Sequence, residues 1–361
     1  MTEPRCSKVM VMAGGTGGHV FPALAVAQEL RDRGVAVSWL GTRRGIEAEL
    51  VPANQFPINY IDVTGLRGKG VAKLLKAPLL LVRALWQAIG VIRYERPDVV
   101  LGLGGFASGP GGLGARLLGL PLVIHEQNAV AGTTNKLLAK IATRVLEAFP
   151  GALPNGIWTG NPVRKEILNI AAPEQRVSVG ARPMRLLVLG GSLGALAINQ
   201  QLPEALSLLP DDLRLDVRHQ CGRAHVAITE AAYQKAGVAA GIEPFIANMA
   251  EAYGWADLVL CRAGALTVSE LAAAGVGSIL IPYPHAIDDH QTMNAGWLVS
   301  KGAAKLLQQA DLTPEKLASL LQSLLGDGEK LRDMAVSAKN LAKPNVAEVM
   351  ADICMEVCRE Y

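Results

Sequence analysis

The chain holds 361 residues, half of them hydrophobic and 19% charged, with a formal net charge of +3. That is too apolar for a disordered chain and long enough for two domains. Mean hydropathy is positive, yet a membrane span needs about 20 predominantly apolar residues; the uncharged stretch over residues 99–115 carries seven glycines and a proline, which reads as a loop, and no other stretch qualifies, which excludes an integral membrane protein.

The N-terminus, MTEPRCSKVMVM, has neither the apolar run nor the cleavage pattern of a signal peptide. The five cysteines (Cys6, Cys221, Cys261, Cys354 and Cys358) include no CxxC pair. They read as reduced cytoplasmic thiols with no zinc site, Cys354 and Cys358 falling on one face of a predicted helix. Residues 8–13 (KVMVMA) predict a buried strand that stops at GGTGGH, residues 14–19. Pro22 follows, then helical spacing over 23–33 and a second strand over 35–40.

Between residues 63 and 94 there is no acid, and six cations stand there: Arg67, Lys69, Lys73, Lys76, Arg83 and Arg93. Leu75, Leu79, Leu80 and Trp86 are among the apolar residues interleaved with them. The segment predicts a basic, leucine-rich helix interrupted by Pro78. It is either a core helix with a basic edge or a surface that dips into an anionic bilayer.

Further buried strands are predicted at 98–103, 121–124 and 144–148, and the uncharged, proline-rich stretch 149–163 reads as a domain linker. A second unit then repeats the opening: a strand over 185–189, a loop GGSLGA over 190–195 and a helix over 196–209. Gly190-Gly191-Ser192 echoes Gly14-Gly15-Thr16 at an offset of 176 residues. Strands near 215–219, 257–261 and 278–282 and a helix over 266–274 follow, and the chain from about 313 reads as all helical. Alternating strands and helices, with the duplication, predict an α/β protein of two Rossmann-like, doubly wound parallel-sheet domains across a cleft.

Glycine loops between a strand and a helix let backbone N–H groups converge on an anion, with the positive helix end behind them. Two matched loops and the tract LGLGGFASGPGG predict two diphosphate-bearing ligands. No GxxxxGK[ST] is present, which excludes a P-loop NTPase. The second strand ends Trp39-Leu40-Gly41-Thr42 without the acid that a dinucleotide ribose requires. Glu270 is a candidate for that acid, one turn into the helix after Gly264; equally, Thr267 and Glu270 have capping-box spacing.

The runs MAGGTGGHVFPALAVA, LGLGGFASGPGG, IHEQNAVAGTTNK, TGNPVR, GGSLGA and CRAGALTVSEL, in that order from Met12 to Asn294, resemble the MurG family of family 28 glycosyltransferases. The resemblance implies a GT-B fold: residues 1–163 bind the acceptor and the membrane, residues 164–340 bind the donor, and a last helix (341–361) packs back on the first domain. It implies an inverting transfer of GlcNAc from UDP-GlcNAc to lipid I, undecaprenyl-pyrophosphoryl-MurNAc-pentapeptide. The products are lipid II and UDP, and no cofactor or protein-bound metal is expected. Implied partners are the two substrates, anionic lipids and other cell-wall synthesis and division proteins, not nucleic acid. The implied location is peripheral, on the cytoplasmic face of the inner membrane.

By motif, the resemblance gives donor contacts to Thr16, Gly17, Gly18, Asn128, Arg164, Ser192, Ile246, Ala265, Leu266, Thr267, Val268, Ser269, Glu270, Gln291 and Asn294. Gly14, Gly15, Gly104, Gly105, Ser108 and Gly109 would face the acceptor. His19 is the expected general base for the acceptor 4-hydroxyl, since imidazole suits proton transfer at neutral pH; Glu126 is the rival. Lys69, Lys73, Leu75, Lys76, Leu79, Leu80, Arg83 and Trp86 form the expected membrane patch. Two positions depart from the family pattern: Leu193 and His290 stand where glutamine is expected. Alternatives are a GT-B transferase with another lipid acceptor, an NAD-linked oxidoreductase and a non-catalytic UDP-sugar-binding protein.

Overall fold

A computed structural model describes residues 6–63, 71–176, 183–191, 193–210, 212–213 and 215–361, with 71–76 and 287 described by backbone alone. It divides into two compact units, Met1–Val163 with Asn345–Tyr361, and Arg164–Pro344.

The first unit runs β1 (Lys8–Met12), α1 (Gly17–Asp32), β2 (Ala36–Gly41), α2 (Glu47–Ala53), β3 (Ile58–Tyr60), α3 (Val71–Glu95), β4 (Val99–Gly102), α4 (Ser108–Leu117), β5 (Leu122–Glu126), α5 (Thr133–Leu138), β6 (Arg144–Glu147) and β7 (Ile157–Trp158). Its strands form one parallel sheet in the order β3-β2-β1-β4-β5-β6-β7. Strand side chains alternate between faces. Val9 and Val11 accordingly join a core with α1, whereas Met10 and Met12 join a second core with α3, α4 and α5.

The second unit runs α6 (Lys165–Leu168), α7 (Pro173–Arg176), β8 (Met184–Leu189), α8 (Leu196–Ser207), β9 (Leu215–Gln220), α9 (Val226–Ala236), β10 (Gly241–Glu243), α10 (Met249–Trp255), β11 (Leu258–Cys261), α11 (Ala265–Ala274), β12 (Gly277–Leu280), α12 (His290–Val299), β13 (Ala304–Leu306), α13 (Pro314–Leu325) and α14 (Gly328–Asn340). Its parallel sheet has the order β10-β9-β8-β11-β12-β13. Both units therefore share one winding, outward from the first strand and then back past it. Ligands of such sheets bind beyond the strand ends where the winding reverses: between β1 and β4 in one unit, between β8 and β11 in the other.

The last helix, α15 (Val346–Glu360), belongs to the first unit and packs on α1. Val346, Met350, Cys354 and Val357 form its buried stripe at helical spacing. Each large apolar side chain so buried contributes about 1.5–3 kcal/mol. The ion pair of Arg33 with Asp352, whose carboxylate is 67% exposed, contributes ~1 kcal/mol at most. The apolar stripe decides where this helix docks.

Several local expectations change. Residues 149–163 are not a linker but part of the first unit, where β7 completes the sheet. Glu147 explains it: its carboxylate accepts from Gly151 N (2.7 Å) and Leu153 N (2.9 Å), so the turn folds back on β6. Residues 99–115 are not one loop but β4, a short turn and α4. Glycine permits this helix, because a Cβ on Gly111 would collide with Met12 Sδ and one on Gly112 would lie 2.9 Å from Leu138. Helix α1 begins at Gly17, ahead of the expected start, and contains Pro22. Helix α3 likewise runs through Pro78. One lost backbone bond is tolerated there because Ala84, Ala88 and Ile92 beyond it are buried. Finally, Cys6 and Cys358 are joined by a disulfide, contrary to the reading of reduced thiols, because α15 returns beside the start of β1 with the two Cα atoms 5.4 Å apart. Cys354 is free and buried.

Candidate active site

In the first unit, the turns after β1 and β4 meet at the reversal point. Thr16 is the N-cap of α1, so Gly17, Gly18 and His19 form the first helical turn rather than a loop. Gly104 and Gly105 both have left-handed backbones, at φ +98° and +87°. A Cβ on Gly105 would sit 2.5 Å from Gly14 O, and one on Gly104 would sit 2.7 Å from His19 Nδ1. Glycine at both positions thus lets the two turns touch. Gly105→Ala is expected to add backbone strain of about 1–3 kcal/mol to a collision with backbone that has no side chain to move. Urea unfolding should show that loss; wild-type stability would contradict it.

His19 Nδ1 lies 3.0 Å from Gln127 Oε1. Glu126 is buried, and both its oxygens are engaged: Oε1 accepts from Asn128 N (3.0 Å) and Nδ2 (3.3 Å), Oε2 from Gly132 N (3.1 Å) and Asn135 Nδ2 (2.8 Å). Four donors on one carboxylate describe an anchor for the turn after β5, with Asn128 drawn into it. Ser108 is buried as well, its hydroxyl donating to Gly104 O (2.7 Å) with Met12 O 3.2 Å away, and Gly109 follows it in the first turn of α4. The Gly15 amide donates to Glu47 Oε2 (2.8 Å), while Glu47 Oε1 accepts from the Thr42 amide and hydroxyl. Glu47 presses close against Gly14. No motif marks Glu47, and the sequence reading missed it.

Burial pushes His125 down to about 4, against the hydrogen bond to Gly160 O and the neighbouring Glu126 charge, which both raise it. His219, buried on β9 in the second unit, is pushed to about 4 for the same reason. Unfolded histidines take up protons below about 6.5, while these two stay neutral in the fold. Stability is therefore complete above about pH 6.5 and falls as the pH drops toward 4, by roughly 3 kcal/mol for each group. Chemical denaturation between pH 7 and 4.5 should show this loss, and a flat profile would contradict it.

In the second unit, the turn after β8 faces the N-terminus of α11. Gly190 and Gly194 pack against neighbouring backbone, whereas Gly191 is open. Ser192 lies outside the described residues, and Leu193 is 84% exposed. A cavity beside this turn is lined by Gly191, Gln220, Tyr253, Arg262, Thr267 and Glu270, among others. Gly264 caps α11, with no side-chain capping bond, so Thr267 and Glu270 do not form a capping box.

Glu270 instead accepts from Arg164 Nη2 (2.8 Å) and from the Tyr253 hydroxyl (3.1 Å). Burial raises the Glu270 carboxyl; the Arg164 charge and both hydrogen bonds pull it back. Tyr253 is fully buried, and burial drives its hydroxyl well up, which keeps it a donor. No motif marks Tyr253 either.

The remaining donor candidates surround this helix. Ala265 and Val268 turn into the core, Leu266 is partly exposed, and the Ser269 hydroxyl donates to Ala265 O (3.0 Å). Asn294 is buried and donates to Ala263 O (3.2 Å), fastening α12 to the turn before α11. Gln291 Oε1 accepts from Tyr283 N (2.9 Å). Ile246 is buried in the connection between β10 and α10, and His290 opens α12.

Of the expected membrane patch, Lys69 lies outside the described residues, and only the backbone of Lys73, Leu75 and Lys76 is described, in α3. Leu79 and Trp86 are 74% and 67% exposed, Leu80 and Arg83 are also exposed, and Arg83 pairs with Asp62. The neighbouring α4 adds exposed Leu113 and Leu117. Among the described residues, no helix is long and apolar enough to cross a membrane.

The chain matches the glycosyltransferase family 28 N-terminal domain over residues 9–147 and the family's C-terminal domain over residues 185–350. It is 57% identical to the UDP-N-acetylglucosamine--N-acetylmuramyl-(pentapeptide) pyrophosphoryl-undecaprenol N-acetylglucosamine transferase of Stutzerimonas stutzeri, covering 97% of this chain and 99% of the relative. The protein of the same name from Marinobacter nauticus is 53% identical, with 99% of both covered. Among solved structures, Acinetobacter baumannii MurG superposes with a TM-score of 0.86 at 44% identity, over 97% of this chain and 99% of that one.

Proposed function

The chain belongs to glycosyltransferase family 28, and from that membership we propose the substrates and chemistry of its two units. It is a GT-B enzyme that transfers N-acetylglucosamine from UDP-N-acetylglucosamine to undecaprenyl-pyrophosphoryl-N-acetylmuramoyl-pentapeptide. The observation that carries this reading is near-full-length identity above 50% to transferases of that name. The mechanism is inferred from the site geometry.

The donor sits at the second reversal point. The N-terminal amides of α11 and the Arg164 guanidinium meet its diphosphate, and Glu270 takes the ribose hydroxyls. Arg164 and Glu270 are paired across 2.8 Å, which places the cation for the diphosphate beside the carboxylate for the ribose. As the bond from C1 to the diphosphate breaks, negative charge grows on the leaving oxygen. A fixed cation and oriented N–H groups stabilise that charge without reorganisation.

The acceptor diphosphate sits at the first reversal point, near Gly17 and Gly18 at the positive end of α1. Its sugar hydroxyl attacks C1 from the face opposite the leaving group, which inverts the anomeric centre. His19 takes the hydroxyl proton. Glu126, its oxygens already engaged by four donors, keeps the turn after β5 in place.

The exposed apolar residues of α3 and α4 meet the bilayer that carries the acceptor, and the cations of residues 63–94 meet anionic headgroups, each worth about 1 kcal/mol. Reversing Lys73 and Lys76 to Glu is expected to abolish selective binding to anionic vesicles. Unchanged co-sedimentation would contradict this placement of the membrane face. The transfer itself is tested by offering labelled UDP-N-acetylglucosamine with either the lipid-linked muramoyl-pentapeptide or diacylglycerol. Label should enter the first acceptor only; label in diacylglycerol alone would overturn the reading.

A further inference from the structure

We propose that Gln127 is a positioning residue whose side-chain amide holds His19 as the Nδ1–H tautomer, so that the lone pair of Nε2 is the one left to take a proton. This rests on His19 being the base and adds what makes it one. Neither ring nitrogen of a free imidazole is committed to one role, and free histidine favours the proton on Nε2, the wrong nitrogen for a base whose Nδ1 faces the protein.

The direction of each hydrogen bond follows from the carbonyl groups at its ends. His125 Nε2 lies 2.9 Å from Gly160 O. A carbonyl only accepts, so Nε2 of His125 carries the proton. His125 is fully buried and neutral at physiological pH, which leaves its Nδ1 as an acceptor. Gln127 Nε2 lies 3.2 Å from that nitrogen and 2.6 Å from Leu103 O. Two acceptors take both amide protons, and a flipped Gln127 would set its oxygen against the Leu103 carbonyl. The amide oxygen therefore points away from both and lies 3.0 Å from His19 Nδ1. An amide oxygen only accepts, so Nδ1 of His19 must donate.

Other contacts lock the amide in place. Asn161 Nδ2 donates to the Gln127 backbone carbonyl (3.1 Å), and Gln127 itself is buried. The absence of a side chain at Gly104 keeps room for the ring beside β4. The chain of donors and acceptors thus runs in one sense from Gly160 through His125 and Gln127 to His19, with no ionised member. A carboxylate in place of Gln127 would also accept from Nδ1, but it would add a buried charge; the neutral amide orders the proton alone.

The test is long-range 15N–1H NMR of the full-length protein labelled in its six histidines, with the His19 signals assigned by their loss in His19→Ala. Wild-type protein is expected to show a protonated Nδ1 and an unprotonated Nε2 at His19. Gln127→Leu is expected to move the proton to Nε2 and to lower kcat roughly 10- to 1000-fold, below the loss caused by a wrong tautomer in a triad. Its KM for UDP-N-acetylglucosamine should stay within about twofold, since tautomer order acts on proton transfer rather than on donor binding. The wild-type spectrum alone decides the matter if the leucine variant does not fold, because the proposal requires the His19 proton on Nδ1. A wild-type His19 protonated on Nε2, or a Gln127→Leu variant with unchanged tautomer and kcat, would overturn the proposal. Near-normal kcat in His19→Ala would instead remove His19 as the base while leaving the tautomer result standing.

Discussion

His19→Ala is expected to lower kcat by roughly 10²–10⁴-fold, the range that a positioned general base supplies, while the KM for UDP-N-acetylglucosamine changes little. The side chain sits in the first turn of α1, on the unit that holds the acceptor in our account. In this account its loss removes the proton acceptor, whereas Arg164, Glu270 and the α11 amides belong to the other unit. Steady-state kinetics with saturating acceptor separates the two parameters. A rise in donor KM at unchanged kcat would show that His19 binds rather than takes a proton. Glu126→Gln should behave differently: it weakens an anchor with four donors, so lowered stability should accompany any loss of rate.

Arg164→Met carries the second large effect. The substitution keeps a long apolar stem and removes the charge that stabilises the departing diphosphate. A fall in kcat of roughly 10²–10³-fold is expected, as for the loss of one preorganised oxyanion donor. It also leaves the Glu270 carboxylate accepting from the Tyr253 hydroxyl alone of these two donors. Burial already raises that carboxyl, and Arg164 is the cation that pulls it back, so its pKa rises further in the variant. In the proposed donor site the ribose hydroxyls are held by the ionised carboxylate. Donor affinity in the variant should therefore fall as the pH is lowered, and at a higher pH than in the wild type. Titration calorimetry with UDP at several pH values measures this. Equal affinity across that range, with wild-type kcat, would remove Arg164 and Glu270 from the donor site.

What the sequence made legible was the material of regular structure. KVMVMA and RLLVL read as buried strands because both faces of a parallel strand are covered, and the echo of Gly14-Gly15-Thr16 in Gly190-Gly191-Ser192 exposed the duplication. The illegible parts depended on partners far away in the chain. Residues 149–163 are proline- and glycine-rich, and nothing local reveals that the Glu147 carboxylate folds them back as the sheet edge. The glycines of α4 looked like a loop because helix propensity disfavours them; the close approach of Met12 and Leu138 is what selects them.

The site divides along the same line. Motifs single out His19, Arg164 and Glu270 as candidates. Their orienting partners carry no signature: Glu47 holds the Gly15 amide from 32 residues away, and Tyr253 meets Glu270 from a different helix. Gln127 stood inside a recognised run, between Glu126 and Asn128, yet its role follows only from Leu103 and Gly160 carbonyls that lie elsewhere in sequence.

The central claim is an inverting transfer driven by base-assisted attack of the acceptor hydroxyl on the donor C1. Proton NMR of the product formed from UDP-N-acetylglucosamine and the lipid-linked muramoyl-pentapeptide, with UDP release counted alongside, tests it most directly. The account predicts a β-linked N-acetylglucosamine on the 4-hydroxyl, with one UDP released for each linkage formed. An α linkage, or UDP released without a glycosylated acceptor, would contradict it.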